Sequence, residues 1–161
     1  MSALAAAGVL ASACDGLLKE TGGAAPDAGA LAQIEPPPCD LPAAAAPADG
    51  HHHPGEDCLM CHYQGGDGPP FTFAGTLYAD SGGAAPLPSA TFHLIDALGT
   101  DVVVSTAPNG NFWSIDLVTF PVLAFASLCP DVKPMLTPIG EADGGCNRVG
   151  CHTSGFRMHV P

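Results

Sequence analysis

In Asp101-Val102-Val103-Val104-Ser105-Thr106-Ala107-Pro108-Asn109-Gly110-Asn111-Phe112-Trp113, a run of valines meets a Pro-Asn-Gly turn and then an aromatic pair. β-Branched and aromatic side chains suit a pleated, half-buried surface, and Asn-Gly tolerates the positive φ of a tight reversal. The stretch predicts two strands joined by a hairpin at Asn109-Gly110. The same texture continues on both sides, so strands are expected at residues 71–79, 90–96, 101–105, 111–116 and 119–128. Asp80-Ser81-Gly82-Gly83 and Ala97-Leu98-Gly99 supply further turns. The expected fold is mostly β: a small antiparallel β-sandwich over residues 70–137, flanked by irregular segments at 51–69 and 138–161.

The rest of the 161-residue chain has a different character. Residues 14–50 are dominated by Ala, Pro, Gly and Asp and lack periodic large side chains, which predicts a disordered or extended tether. Residues 1–13 are apolar but far shorter than the roughly 20 residues that span a bilayer, and read as a signal-like segment. Leu10-Ala11-Ser12-Ala13-Cys14 resembles a bacterial lipobox, which implies export and a lipid anchor at Cys14. Plain secretion and an uncleaved segment remain competing readings. Four Lys+Arg against sixteen Asp+Glu give a net charge of −12, which argues against nucleic acid as a partner.

Within the β region, Phe73-Ala74-Gly75-Thr76-Leu77-Tyr78, Pro86-Leu87-Pro88-Ser89-Ala90-Thr91-Phe92, Leu94-Ile95-Asp96 and the run from Ser105 to Phe112 resemble the carboxypeptidase regulatory-like, transthyretin-type β-sandwich. The resemblance covers about a third of the chain. It implies a scaffold rather than a catalyst.

The strongest chemical signal is Cys58-Leu59-Met60-Cys61-His62. Two thiols on one turn of chain can add to the two vinyl groups of one haem, and the histidine that follows lies below the iron as proximal ligand. Cys146-Asn147-Arg148-Val149-Gly150-Cys151-His152 repeats this with a longer spacer and resembles attachment sites of multihaem cytochromes, with His152 as the second proximal ligand. The expectation is two covalent haem c groups per chain. A zinc site built from the four cysteines, or a disulfide between Cys146 and Cys151, competes with it. Of the other cysteines, Cys14 is the lipidation candidate, and Cys39 and Cys129 form one possible disulfide.

A bis-histidine carrier needs a distal ligand for each iron. His53-Pro54-Gly55-Glu56-Asp57-Cys58 resembles the His-x-x-Gly-x-x-Cys-x-x-Cys-His signature of extracellular cytochrome segments, which implies His53, with His51 and His52 as alternatives. His159 follows His152 by seven residues, a reach of at most roughly 24 Å. Wrapping around one haem needs about as much, so crossed ligation is expected: His159 to the haem at Cys58/Cys61 and His53 to the haem at Cys146/Cys151. Ligation from a neighbouring subunit meets the same constraint. His93 alternates against Phe92 and Leu94 and reads as a surface residue. Met60, Met135 and Met158 read as filler, and Arg148 and Arg157 as propionate partners or as solubilising charge.

These readings imply an exported electron-transfer protein, not an enzyme, at the cell surface, outside it or in the periplasm. Its partners would be other redox proteins or extracellular acceptors. Self-assembly into a cytochrome filament is the alternative. A dihaem peroxidase, which needs an open iron, and a zinc-binding structural protein are less favoured.

Overall fold

Extended backbone forms where β-branched and aromatic residues cluster, and six strands result among the described residues. The computed structural model describes Cys39 and residues 52–160; the signal-like segment, nearly all of the tether and His51 lie outside the described residues. Strand β1 (Phe73–Thr76) pairs antiparallel with β4 (Asn111–Ser114) in one sheet. The second sheet has the order β3 (Asp101–Ser105), β2 (Thr91–Ile95), β5 (Leu123–Leu128), β6 (Asp131–Pro134), also antiparallel throughout. Phe73, Leu77 and Phe112 of the first layer pack on Phe92, Leu94, Val102, Ala124 and Ala126 of the second. The Phe92 and Phe112 rings stack across the layers at 4.1 Å. The expected mostly β sandwich is therefore the fold. Among the described residues no helix is long and apolar enough to cross a membrane.

The Asn109-Gly110 turn forms, but it does not join a hairpin. Gly110 takes φ 78° and donates to the Ala107 carbonyl at 2.8 Å. The chain then leaves β3, paired with β2, for β4, paired with β1. A β-carbon on Gly110 would meet the Leu77 carbonyl at 2.4 Å, so the turn is pressed against the end of β1 and carries the chain between sheets. The fifth strand starts at Leu123 rather than 119. Thr119 is used instead at the other end of the sheet, where its N–H donates to Asp96 and its carbonyl accepts from Ala97. Strand β6, bracketed by Pro130 and Pro134, was not expected; as an edge strand it tolerates a residue that cannot donate.

His93 corrects the surface expectation. It does face away from Phe92 and Leu94, yet it is only 2% exposed. It sits on the inner strand β2 between Val103 of β3 and Phe125 of β5, and its Nδ1 lies 2.9 Å from an Asp101 carboxylate oxygen. Alternation assigns a face, not its exposure.

The core also does not stop at residue 137. Ile139, Cys146, Met158 and Val160 belong to it. Strand β1 has a partner strand on one side only, and residues 144–160 cover its other edge. Ala74 N–H donates to Gly144 O at 3.0 Å, Cys146 N–H to Ala74 O at 2.9 Å, and Tyr78 N–H to Met158 O at 2.9 Å. An uncovered edge would leave these groups unpaired. At the far end, Cys39 is disulfide-bonded to Cys129, just after β5, closing a separation of 90 residues.

Candidate functional site

The first cysteine pair stands on a single 3-10 turn, Cys58–Met60. The Asp57 side chain caps it by accepting from Leu59 N–H at 3.2 Å, and His62 N–H donates back to Cys58 O at 3.0 Å. This local winding presents Cys61 to solvent and leaves Cys58 half-buried. The His62 ring is held by Phe71, stacked at 4.0 Å, and by the Pro69 carbonyl, 2.9 Å from Nδ1. A carbonyl can only accept, so Nδ1 carries a proton, and in the neutral ring the lone pair is on Nε2. The His52 ring lies 5.7 Å from that of His62.

The second pair is built into the sandwich. Cys146 is buried in the strip that covers β1, while Cys151 is half-buried. The His152 N–H donates to Cys146 O at 3.0 Å, its Nδ1 lies 3.2 Å from Phe156 O, and the Phe156 ring stacks on it at 5.4 Å. The tautomer matches that of His62. Burial, and then the neighbouring His159, hold His152 below the ordinary histidine range despite the Phe156 carbonyl, so the ring is neutral at pH 7. Neutral imidazole is the form that ligates metal.

Cys146, Cys151, His152 and His159 line one cavity of about 550 Å³ whose walls include Leu77, Phe92, Ala124, Met135 and Met158. His159 turns Nδ1 to Arg157 O at 3.1 Å, and its Nε2 accepts from the Lys133 ammonium at 2.8 Å. The two sites touch. A β-carbon on Gly145 would lie 2.6 Å from the Asp57 carboxylate. Burial, and then Cys58 and Cys151, push the Cys146 thiol up to about 12. Burial, and then Asp57, push Cys58 up to about 11. Neither is the low-pKa thiolate of a dithiol redox catalyst.

The remaining expected residues are placed as follows. His53 is exposed and pairs with Glu56 at 3.2 Å, away from the cavity; His52, not His53, stands beside His62. Counted back from Gly55, the His-x-x-Gly spacing also falls on His52. His159 shares its cavity with His152 of its own segment, whereas crossed ligation sent it to the other pair. Met158 and Met135 line the cavity and Met60 is exposed. Arg148 bonds Ala142 O and Asp143, while Arg157 donates to Gly55 O at 2.8 Å and lies over the Tyr78 ring. Among the described residues, no three His, Cys, Asp or Glu side chains gather into a group that could hold a metal ion. Lys133, Phe71 and Phe156 were not singled out in the sequence; an aromatic four residues after His152 was the one readable signal.

Comparison with known proteins finds no matching family model, no similar curated protein and no similar solved structure.

Proposed function

We propose that this chain is an electron-transfer protein with two covalent haem c groups, one on Cys58 and Cys61 above His62, the other on Cys146 and Cys151 above His152. One observation carries the reading: both motif histidines have Nδ1 against a backbone carbonyl, at 2.9 and 3.2 Å, which orients Nε2 as a free ligand. That is the usual second-sphere arrangement of a metal-binding histidine. A zinc cluster or a redox dithiol gives no role to a histidine after each pair.

The second site fits a haem on its own terms. Its cavity has the size and the apolar walls of a cofactor pocket, with two thiols, a neutral imidazole and a second imidazole on its lining. The first site fits by its donors, with Phe71 holding the His62 ring and His52 adjacent. Bound haem iron supplies a one-electron couple. The chain's own residues would hold the group: Leu77, Phe92 and Met158 would keep water from the second site, and His52 and His159 would supply the second imidazoles, His159 after Lys133 gives up its Nε2. Ligation within each segment replaces the crossed arrangement in this reading. With both irons so ligated no position would be open to substrate, and that is why the reading is a carrier rather than an enzyme.

Export is part of the proposal, because a disulfide such as Cys39–Cys129 persists in oxidising compartments. Other redox proteins or extracellular acceptors are the partners it suits, and a regulatory-like sandwich is the scaffold it suits. Intact mass tests the reading: two haems per chain are expected, and one in a variant with Cys146→Ala and Cys151→Ala. Stoichiometric zinc with no covalent haem would overturn it.

A further inference from the structure

Thr76 of β1 and Asn111 of β4 face each other in register, and both are buried. Two polar side chains at the heart of an apolar sandwich carry a desolvation penalty unless every group is paired. Here the pairing runs outward in two directions. The Thr76 hydroxyl accepts from Gly55 N–H at 2.7 Å and donates to Asn111 Oδ1 at 2.7 Å. Asn111 Nδ2 then donates to the His52 carbonyl at 2.8 Å. On the other side, Thr76 N–H donates to Asn147 Oδ1 at 2.7 Å, and Asn147 Nδ2 donates to the His152 carbonyl at 3.2 Å. One strand residue thus ties the backbone of His52 to the backbone of His152, across sequence separations of 21, 35, 59 and 71 residues.

Resting on the haem reading above, we infer that Thr76, Asn111 and Asn147 are positioning residues that lock the two haem segments into one rigid pair, setting the angle and distance between the haem planes. The division of labour is specific. The Thr76 hydroxyl and Asn111 act on the first segment. The Thr76 backbone N–H and Asn147 act on the second. A network that only stabilised the sheet would have no reason to end on the carbonyls of two axial-ligand candidates.

The full-length holoprotein tests this through the Soret circular dichroism, where two haems at a fixed angle give a bisignate couplet. Thr76→Val keeps the shape and removes only the hydroxyl, so the couplet should be lost and the first haem alone should show high-spin character. Thr76→Ser should restore both. Asn147→Ala should abolish the couplet with the spin change at the second haem instead. If Thr76→Val lowers the yield of folded protein, Asn111→Ala carries the same expectation at the first haem. A wild-type couplet in both Thr76→Val and Asn111→Ala, with two haems by mass, overturns the inference and leaves the haem reading standing. A Thr76→Ser variant as defective as Thr76→Val also overturns it. Wild-type protein without covalent haem overturns the reading beneath it, and the inference with it.

Discussion

The two Cys-containing segments carry one chemical signature on opposite kinds of support. The first is a local turn: its cap, its 3-10 bonds and the carbonyl under His62 all come from residues 57–69, and its second thiol is exposed. The second is part of the sandwich: its first thiol is in the core, its backbone completes the edge of β1, and its histidines line a cavity walled by β2, β5 and β6. The spacing between cysteines does not decide this. What decides it is where the backbone groups around the cysteines are satisfied: those of residues 57–69 close largely among themselves, with Gly55 and His52 held by Thr76 and Asn111, whereas those of residues 144–160 complete a strand edge. On the proposed reading, a haem on the first segment would sit on a local turn tied to the sandwich through Gly55 and His52, and one on the second would be built into the sandwich itself.

The largest expected effect bears on the support both sites share. Replacing Cys39 and Cys129 by Ser should cost about 4 kcal/mol, because the bridge closes a long loop in the unfolded chain, and thermal unfolding followed in the far ultraviolet would measure it. Both sites should lose stability together; loss at one alone would mean that the sandwich does not support them jointly.

The comparison itself is tested by removing each cysteine pair. Cys146→Ala with Cys151→Ala should destabilise the sandwich by about 3 kcal/mol or more, since a core thiol and the filling of the cavity both go. Cys58→Ala with Cys61→Ala should leave the melting temperature close to that of the parent. Equal losses would break the distinction drawn here.

Asp96 gives a finer probe, through pH. Burial opposes its ionisation, but N–H groups of Thr119, Thr100 and Leu98 outweigh that and hold the carboxyl below its ordinary range. The folded value lies under the unfolded value of about 3.9, so its contribution is present above that pH and is lost as pH falls toward the folded value. Asp96→Asn should cost about 2 kcal/mol at pH 7 and flatten the stability profile on the acid side.

On the proposed haem reading, the smallest effects on stability, and the most local, are at His159 and His52. His159→Ala should open only the second haem to carbon monoxide and His52→Ala only the first, while His53→Ala should open neither. Opening of the first haem by His159→Ala would restore the crossed arrangement.

Much of this was legible from residue types alone. The valine run at Val102–Val104, the Asn-Gly turn and the two cysteine motifs depend on local chemistry, and local chemistry survives folding. The hairpin reading failed because a turn specifies a reversal but not which sheet receives the chain. The exposure of His93 was misjudged for a related reason, since alternation is a property of one strand and burial depends on its neighbours.

Two Cys–Cys–His sets, a β core and a chain poor in cations follow from the order of residues, because each rests on covalent spacing or on summed composition. Which histidine stands beside which, the burial of Cys146, the cavity under His152 and the Thr76 link between the segments follow only from the tertiary structure. The physical reason is that the open edge of β1 could be satisfied by any backbone that reached it. Only packing selected residues 144–160 for that place, and with them the site they carry.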